Sequence, residues 1–214
     1  MPQGIVMIRR TRACMEKQTF EYVNKFAFKN AKVIGKRKRN QSFILTLFLR
    51  NKNKAIYPRI ICRNNTCNVE AICIGDVING EGYIRAYNEV LEDLSIKKHQ
   101  YFVADNVSLS KDLMTEIFGK KGTFFGESRF DIMLSGKTMK VKEGCDYSYI
   151  TLVTDISVAG RKPSYVTLMK PNNVTKPKIN DMIAIAVSLK TPKVTKGGQT
   201  QYLENLYVSD LVIV

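Results

Sequence analysis

Hydrophobic and polar residues alternate along most of this chain with a period of two, which is typical of half-buried strands rather than of helices. Residues 42–51 show the pattern most clearly, because two sets of four side chains would fall on opposite faces of one strand. The first set is Phe43, Leu45, Leu47 and Leu49, and the second is Ile44, Thr46, Phe48 and Arg50. We expect the first set to lie in a core and the second to add a ring and a cation to the opposite face.

The same alternation predicts five strands between residues 22 and 109. In the third strand, Tyr57, Arg59 and Ile61 share a face. The fourth strand begins at a Gly75-Asp76 turn, and there a further set, Tyr83, Arg85 and Tyr87, shares a face opposite Ile84 and Ala86. A basic run, residues 36–39, is expected to form the loop between the first two strands, either as a solvated turn or as a tip that closes over a bound anion.

Residues 131–214 repeat this rhythm and predict five more strands, with an Asn180-Asp181 turn at the place that Gly75-Asp76 takes in the first half. In the fourth of these strands, Ile183, Ile185, Val187 and Leu189 are expected to form a core face. The opposite face carries no ring, which indicates a weaker binding platform or a protein-contact surface. The basic, glycine-rich segment 191–199 is interpreted as a flexible finger over a ligand.

Between the two halves, residues 108–122 fit a short helix in which Ser110 is the cap, Leu113, Met114 and Ile117 form an apolar side and Gly119 ends the helix. The GKKG at 119–122 also matches the phosphate-clamping loop of a KH module, although the flanking pattern does not fit that module. The predicted class is therefore all-β, with two tandem OB-fold five-stranded barrels and a short connecting helix. The predicted divisions are a basic lead-in at 1–21, barrels at 22–109 and 131–214, and a helix and linker at 110–130. The lead-in could be a disordered terminus, an accessory strand or a phosphate-contacting arm.

Charge narrows the choice of partner. The 214 residues contain 34 Lys and Arg against 19 Asp and Glu, a formal net charge of +15, so the chain attracts polyanions. Charge alone selects no particular polyanion. Rings and cations that share strand faces favour an unpaired nucleic acid strand, since rings stack on bases and cations track phosphates.

Short motifs in residues 22–108 resemble the single-stranded DNA-binding proteins of bacteria, phages and plasmids. The matching pieces, in order, are Val23-Asn24-Lys25, Val33-Ile34-Gly35, Tyr57-Pro58-Arg59-Ile60-Ile61-Cys62, Gly75-Asp76 through Gly82-Tyr83-Ile84-Arg85, and Phe102-Val103-Ala104-Asp105-Asn106-Val107. The chain departs from this family in having no tryptophan and no Gly/Pro/Gln-rich linker with an acidic tip. The resemblance implies an OB fold that coats single-stranded DNA without strong sequence preference.

Eleven side chains are predicted to contact the nucleic acid. Rings that would stack on bases are Phe48, Tyr57, Tyr83 and Tyr87, and cations that would pair with phosphates are Lys36, Arg37, Lys38, Arg39, Arg50, Arg59 and Arg85. Two rival interpretations remain open: an RNA-binding OB protein, and a non-enzymatic assembly protein of a phage or transfer apparatus. A homodimer would present four barrels, but a tandem monomer would also bind.

Nothing in the sequence favours catalysis, a cofactor or a small-molecule substrate, because no phosphate-cradling loop, dinucleotide fingerprint or histidine pair is present. Cys62, Cys67 and Cys73 with His99 could form a zinc site, but structural zinc sites usually show tighter cysteine pairs. The alternative places Cys62 and Cys73 in strands as small apolar residues. The first apolar run ends at Arg9, too short for a signal peptide, and no membrane span follows. We therefore expect reduced thiols and a cytoplasmic protein. The resemblance implies a role in replication, recombination or DNA transfer.

Overall fold

The computed structural model is all-β in the residues it describes. These are residues 20–51, 54–63, 68–111, 116–119, 122–125, 128–154, 162–172, 175–196 and 199–214. Most of the basic lead-in, with Cys14, and Cys67 therefore lie outside the described residues. In the part of the chain that the structure describes, no helix has the length and apolarity needed to span a membrane.

The described residues of the first part of the chain form eight strands. They are β1 (Asn24–Arg39), β2 (Ser42–Asn51), β3 (Lys54–Ile56), β4 (Arg59–Arg63), β5 (Val77–Val90), β6 (Ile96–Leu109), β7 (Glu116–Gly119) and β8 (Gly122–Phe125). β1 pairs with both β2 and β5, and β6 joins β5 to β4, so the order β1-β5-β6-β4-β2 returns to β1. β4 and β6 run parallel, whereas the other pairs in this order are antiparallel.

The described residues of the second part form seven strands. They are β9 (Arg129–Lys142), β10 (Tyr147–Thr154), β11 (Ser164–Pro171), β12 (Met182–Lys190), β13 (Lys193–Lys196), β14 (Gln199–Tyr202) and β15 (Asn205–Ile213). The order β9-β10-β11-β15-β12 likewise returns to β9, and β11 runs parallel to β15. The predicted flexible finger is the β13–β14 hairpin.

The predicted core faces are confirmed. Leu45, Leu47 and Leu49 are fully buried in β2, and Phe43 is 8% exposed. In β12 the four predicted core residues are also buried. Period-two alternation predicts these faces because successive side chains of a strand point to opposite sides.

The predicted connecting helix is wrong for the residues that the structure describes. Glu116–Gly119 is a strand that pairs with Gly122–Phe125. Two four-residue segments rich in β-branched and aromatic residues, joined by two residues between glycines, form a hairpin more readily than a helix. Ser110 instead continues the pairing of β6, since its N–H donates to the Val77 carbonyl at 2.8 Å. Leu113 and Met114 lie outside the described residues.

The two halves repeat in their hydrogen bonds, with counterparts 105 positions apart. The Val33 N–H donates to the Asp76 carbonyl at 2.8 Å, and the Thr138 N–H donates to the Asp181 carbonyl at the same distance. Each aspartate side chain also accepts a backbone N–H three residues earlier, at 2.7 Å. The predicted correspondence of the two turns is confirmed.

β1 and β9 pair with each other and join the halves through a local two-fold relation. Phe26 lies opposite Ile132 and Ala27 opposite Asp131. The counterparts of Phe26 and Ala27, 105 positions later, are Asp131 and Ile132. Replacing every residue by its counterpart in the other half therefore turns each of these pairs into the other. Each half therefore meets the other in an equivalent way, so a contact made by one half has a related contact made by the other.

Candidate nucleic-acid interface

The outward side chains of β1, β2 and β4 form one continuous surface, which we name the first face. The strand registers place Arg37 beside Ile44 and Ile61, and Arg39 beside Ser42 and Arg63. These side chains point outward because the residues that alternate with them in β2 and β4, such as Leu45 and Ile60, are fully buried. The first face comprises Lys32, Arg37, Arg39, Ile44, Thr46, Phe48, Tyr57, Arg59, Ile61 and Arg63. Cations thus lie along both of its edges, with apolar side chains between them.

Three rings meet at one end of the first face. The Phe48 and Tyr57 ring centroids are 5.5 Å apart with an interplanar angle of 34°. Tyr57 also stacks on Tyr202, at 4.4 Å and 23°. Burial and then the neighbouring Tyr202 raise the pKa of Tyr57, which keeps its phenol neutral. Because Tyr202 ends the β13–β14 hairpin, the second half supplies one ring of the cluster.

The basic run, residues 36–39, was expected to form a loop, but it is part of a strand. Lys36 through Arg39 are the last four residues of β1, paired with Leu45 through Ser42, and Asn40, with φ of 50°, lies in the turn. Asparagine tolerates this left-handed conformation, which explains why the turn falls after the cations rather than within them.

Alternation within β1 divides the basic run between two sides of the strand. Lys36 and Lys38 lie on the same side as Phe43, with Nζ atoms 4.8 and 5.7 Å from its ring centroid. Lys36 Nζ also donates to three carbonyls of the connection between β4 and β5, at 2.7–3.0 Å. Lys36 therefore stabilises that connection, whereas Arg37 and Arg39 lie on the first face.

A carboxylate of the second half lies at the edge of the first face. Glu204 accepts the backbone N–H of Arg59 at 2.6 Å, and its Oε1 is 3.7 Å from Arg59 Nε. Burial raises the pKa of Glu204, and the contacts with Arg59 oppose that rise. The Arg59 side chain remains 53% exposed, so its charge still faces solvent on the first face.

The predicted ring-cation-ring set of β5 is not an exposed platform. Tyr83 is 9% exposed and lies opposite Val103, which is also buried. Arg85 Nη1 donates to the Lys162 carbonyl of the second half at 3.0 Å. The alternation was predicted correctly, but the second half packs against this part of the strand. The prediction that Tyr83 is an exposed stacking ring is therefore wrong.

Tyr87 lies further out on the β5–β6 hairpin and is 36% exposed. Its ring stacks on His99 at 4.9 Å, and the Arg85 guanidinium lies 5.8 Å from its centroid. Arg50 is half-buried near the end of β2, opposite Ala55 of β3. The structure therefore groups Arg37, Arg39, Phe48, Tyr57 and Arg59 on one face. Tyr83, Arg85 and Tyr87 lie on β5, away from that face, and Arg85 bonds to the second half.

Arg63 and Tyr202 are among the members of the site that the sequence analysis missed. Arg63 follows Arg59 by four residues on the outward side of the same strand, so an extended period-two count would have found it. Tyr202 had no such local signal, because its position beside Tyr57 depends on how the two halves pack.

The alternative zinc site is not assembled in the described residues. There, no group of three or more His, Cys, Asp or Glu side chains could hold a metal ion. Cys62 is buried in β4, as its interpretation as a small apolar residue requires, but Cys73 is exposed and lies outside the strands, contrary to that interpretation. His99 contacts Glu89, with 2.6 Å between Nε2 and Oε2.

Comparison with known proteins supports the fold. The chain is similar to the crystal structure of the wild-type single-stranded DNA binding protein from Thermus aquaticus, with a TM-score of 0.58 and 10% sequence identity, over 91% of this chain and 94% of that chain. A deletion mutant of the same protein matches with a TM-score of 0.55 and 10% identity, over 91% and 95% of the two chains. No family model and no curated protein matches the sequence. The match spans both halves and shows a shared fold.

Proposed function

We propose that this chain is a non-enzymatic tandem OB-fold protein that binds single-stranded DNA without strong sequence preference. The observation that carries the proposal is the first face, where exposed arginines lie on both edges and a ring cluster lies at one end. Its fold, shared with a single-stranded DNA binding protein, adds support. Rings accept any base by stacking, and cations neutralise any phosphate, so this chemistry recognises an unpaired strand rather than a sequence.

On the first face, the bases stack on Phe48, Tyr57 and Tyr202 while the phosphates follow the arginines. Arg37 and Arg39 lie on one edge of the face, and Arg59 and Arg63 lie on the other. A duplex hides its base faces within the stack, so it would gain the phosphate contacts but lose the ring contacts. The rings therefore provide the preference for an unpaired strand.

The same proposal includes the bounds of the barrels, the location and biological role of the protein, and its oligomeric state. The barrels occupy residues 22–109 and 131–214, joined by the segment 110–130. The protein acts in the cytoplasm in replication, recombination or transfer of a bacterial, phage or plasmid genome. A homodimer would present four barrels. Analytical ultracentrifugation over a range of protein concentrations tests the dimer, and a sedimentation coefficient fixed at the monomer value contradicts it.

Fluorescence-anisotropy titration tests the binding function directly. A dT oligomer, the matched RNA and duplex DNA are each titrated at several salt concentrations. We expect the tightest binding to the dT oligomer, with a log-log salt slope of about −0.7 per neutralised phosphate. Tighter binding to RNA would favour the RNA-binding alternative, and equal or tighter binding to the duplex would contradict the proposal.

Two neighbouring cations of β1 provide a matched pair of variants. Arg37→Gln removes a charge from the first face, and Lys38→Gln removes the same charge from the opposite side of the strand. Both change the net charge equally, so the long-range field falls by the same amount. We expect Arg37→Gln to make the salt slope shallower by about 0.7 and Lys38→Gln to leave it nearly unchanged. Equal effects of the two variants would show that the first face is not the contact surface.

A further inference from the structure

The second half carries a face equivalent to the first. β9, β10 and β11 have the same order as β1, β2 and β4, and their registers place Lys142 beside Tyr149, and Lys140 beside Thr151 and Thr167. The two threonine hydroxyls are 3.1 Å apart, so they lie on the same side. Ile150 and Leu152, which alternate with Thr151, are fully buried. The outward side chains of these strands form what we name the second face.

The second face has exposed rings, contrary to the expectation drawn from β12 alone. Tyr149 of β10 is 40% exposed and Tyr165 of β11 is 41% exposed. They stand in different rows of the face, with the threonine row between them. The second half thus presents rings on strands that correspond to those carrying Phe48 and Tyr57, not on the fourth strand.

The β5–β6 hairpin of the first half reaches the second face, as the β13–β14 hairpin of the second half reaches the first. The Gln100 side chain accepts the Thr167 N–H at 2.8 Å and donates to the Thr167 carbonyl at 3.3 Å. Glu204 accepts the Arg59 N–H in the related position. Each face is therefore bordered by a hairpin from the other half, in agreement with the two-fold relation of β1 and β9.

Two lysines are brought together where the β5–β6 hairpin meets the second face. Lys98 lies in β6, two residues before Gln100, whose side chain bonds to Thr167. Lys140 lies in β9 beside Thr151, the strand neighbour of Thr167. Partial loss of hydration, and then the charge of Lys140, lower the pKa of Lys98. Two like charges near each other repel, and an anion bound between them would offset that repulsion.

We propose that Lys98 and Lys140 bind the phosphate backbone of a single strand whose bases stack on Tyr149 and Tyr165, making the second face a second groove for single-stranded nucleic acid. The groove is composite, because one of its two lysines comes from the first half. This inference rests on the proposed function and extends it, since the contacts proposed above all lie on the first face.

Calorimetry with short dT oligomers of about 10 nucleotides tests this groove, since one OB barrel contacts about 4–16 nucleotides. We expect the wild-type chain to bind two oligomers. The Lys98→Gln/Lys140→Gln variant should bind one oligomer, and so should Tyr149→Ala/Tyr165→Ala. A matched control is Lys97→Gln/Lys178→Gln, which removes the same charge: Lys97 adjoins Lys98 but points to the other side of the hairpin, and Lys178 lies in an exposed turn. The control should still bind two.

A second measurement needs no variant. Resolved lysine side-chain resonances of the wild-type protein are followed through a pH titration, with and without the dT oligomer. A phosphate beside Lys98 favours its charged form, so adding the oligomer should raise the pKa of Lys98.

The outcomes separate the two proposals. If the wild-type chain binds no dT oligomer, the proposed function itself fails. If it binds one oligomer, or if the Lys98/Lys140 variant still binds two with unchanged affinity, the second groove is refuted while the first face stands. An unchanged pKa of Lys98 in the saturated complex likewise refutes the phosphate contact.

Discussion

Replacing Tyr202 with alanine tests whether the first face depends on a ring from the other half. The Tyr202 ring stacks on Tyr57 at 4.4 Å, at the end of the Phe48–Tyr57 pair. Stacking of one base on an aromatic side chain is worth about 1–3 kcal/mol, so the dissociation constant for a dT oligomer should rise about 5- to 150-fold. The lower part of that range is expected, since the two other rings remain.

The same substitution should change stability little. The Tyr57–Tyr202 pair contributes about 0.5–1.5 kcal/mol beyond area burial, and Tyr202 is partly exposed. Affinity is measured by anisotropy, and the free energy of unfolding by urea titration. The salt slope should remain that of the wild-type chain, because no charge is removed. Tyr22→Ala is a suitable control, since Tyr22 packs edge to face against Phe20 at 5.3 Å, away from the first face. Unchanged affinity in Tyr202→Ala, or an equal loss in Tyr22→Ala, would refute the composite site.

Three further predictions concern stability, each measured as the free energy of unfolding in urea. Gly82→Ala should destabilise the folded protein by about 1–3 kcal/mol or more, because the added Cβ would lie 2.0 Å from the Val103 carbonyl oxygen. Gly35→Ala should destabilise it less, because the atom nearest to its Cβ would be 3.4 Å away. Equal losses of stability in the two variants would contradict the packing. Lys36→Met should lower stability more than Lys38→Met, since Lys36 caps three carbonyls, and the reverse order would disprove that role. Glu204 has a raised pKa, so it favours the folded state at low pH and loses that contribution as the pH rises through its folded pKa. The stability of the wild type relative to Glu204→Gln should therefore fall with rising pH, by at most about 1.4 kcal/mol per pH unit. A rise in this relative stability would contradict the burial of the Glu204 charge.

Strand positions and inward faces were largely predictable from the sequence. The alternation that predicted Phe43, Leu45, Leu47 and Leu49 as core residues depends on strand geometry, which is a local property. The same holds for Tyr57, Arg59 and Ile61, which alternate with buried residues as predicted, although β4 begins only at Arg59. The turns at Asp76 and Asp181 were also found, because their residues favour turns wherever they occur.

Errors arose where local rules gave two acceptable answers. Residues 116–119 follow apolar spacing that suits a helix, yet pairing with residues 122–125 makes them a strand. The basic run was assigned to a loop because it lies between two strand patterns, but it continues β1, whose geometry turns Arg37 and Lys38 to opposite sides.

The sequence by itself determined that this chain is all-β, that it repeats, and which side chains share a strand face, since each of these depends on spacing over a few residues. The tertiary structure alone decided which outward faces stay exposed. Tyr83 is 9% exposed, next to Arg85, which bonds to Lys162 of the second half, whereas Tyr57 stacks on Tyr202 of the second half. That difference depends on contacts between residues far apart in the sequence, for which a local pattern carries no signal.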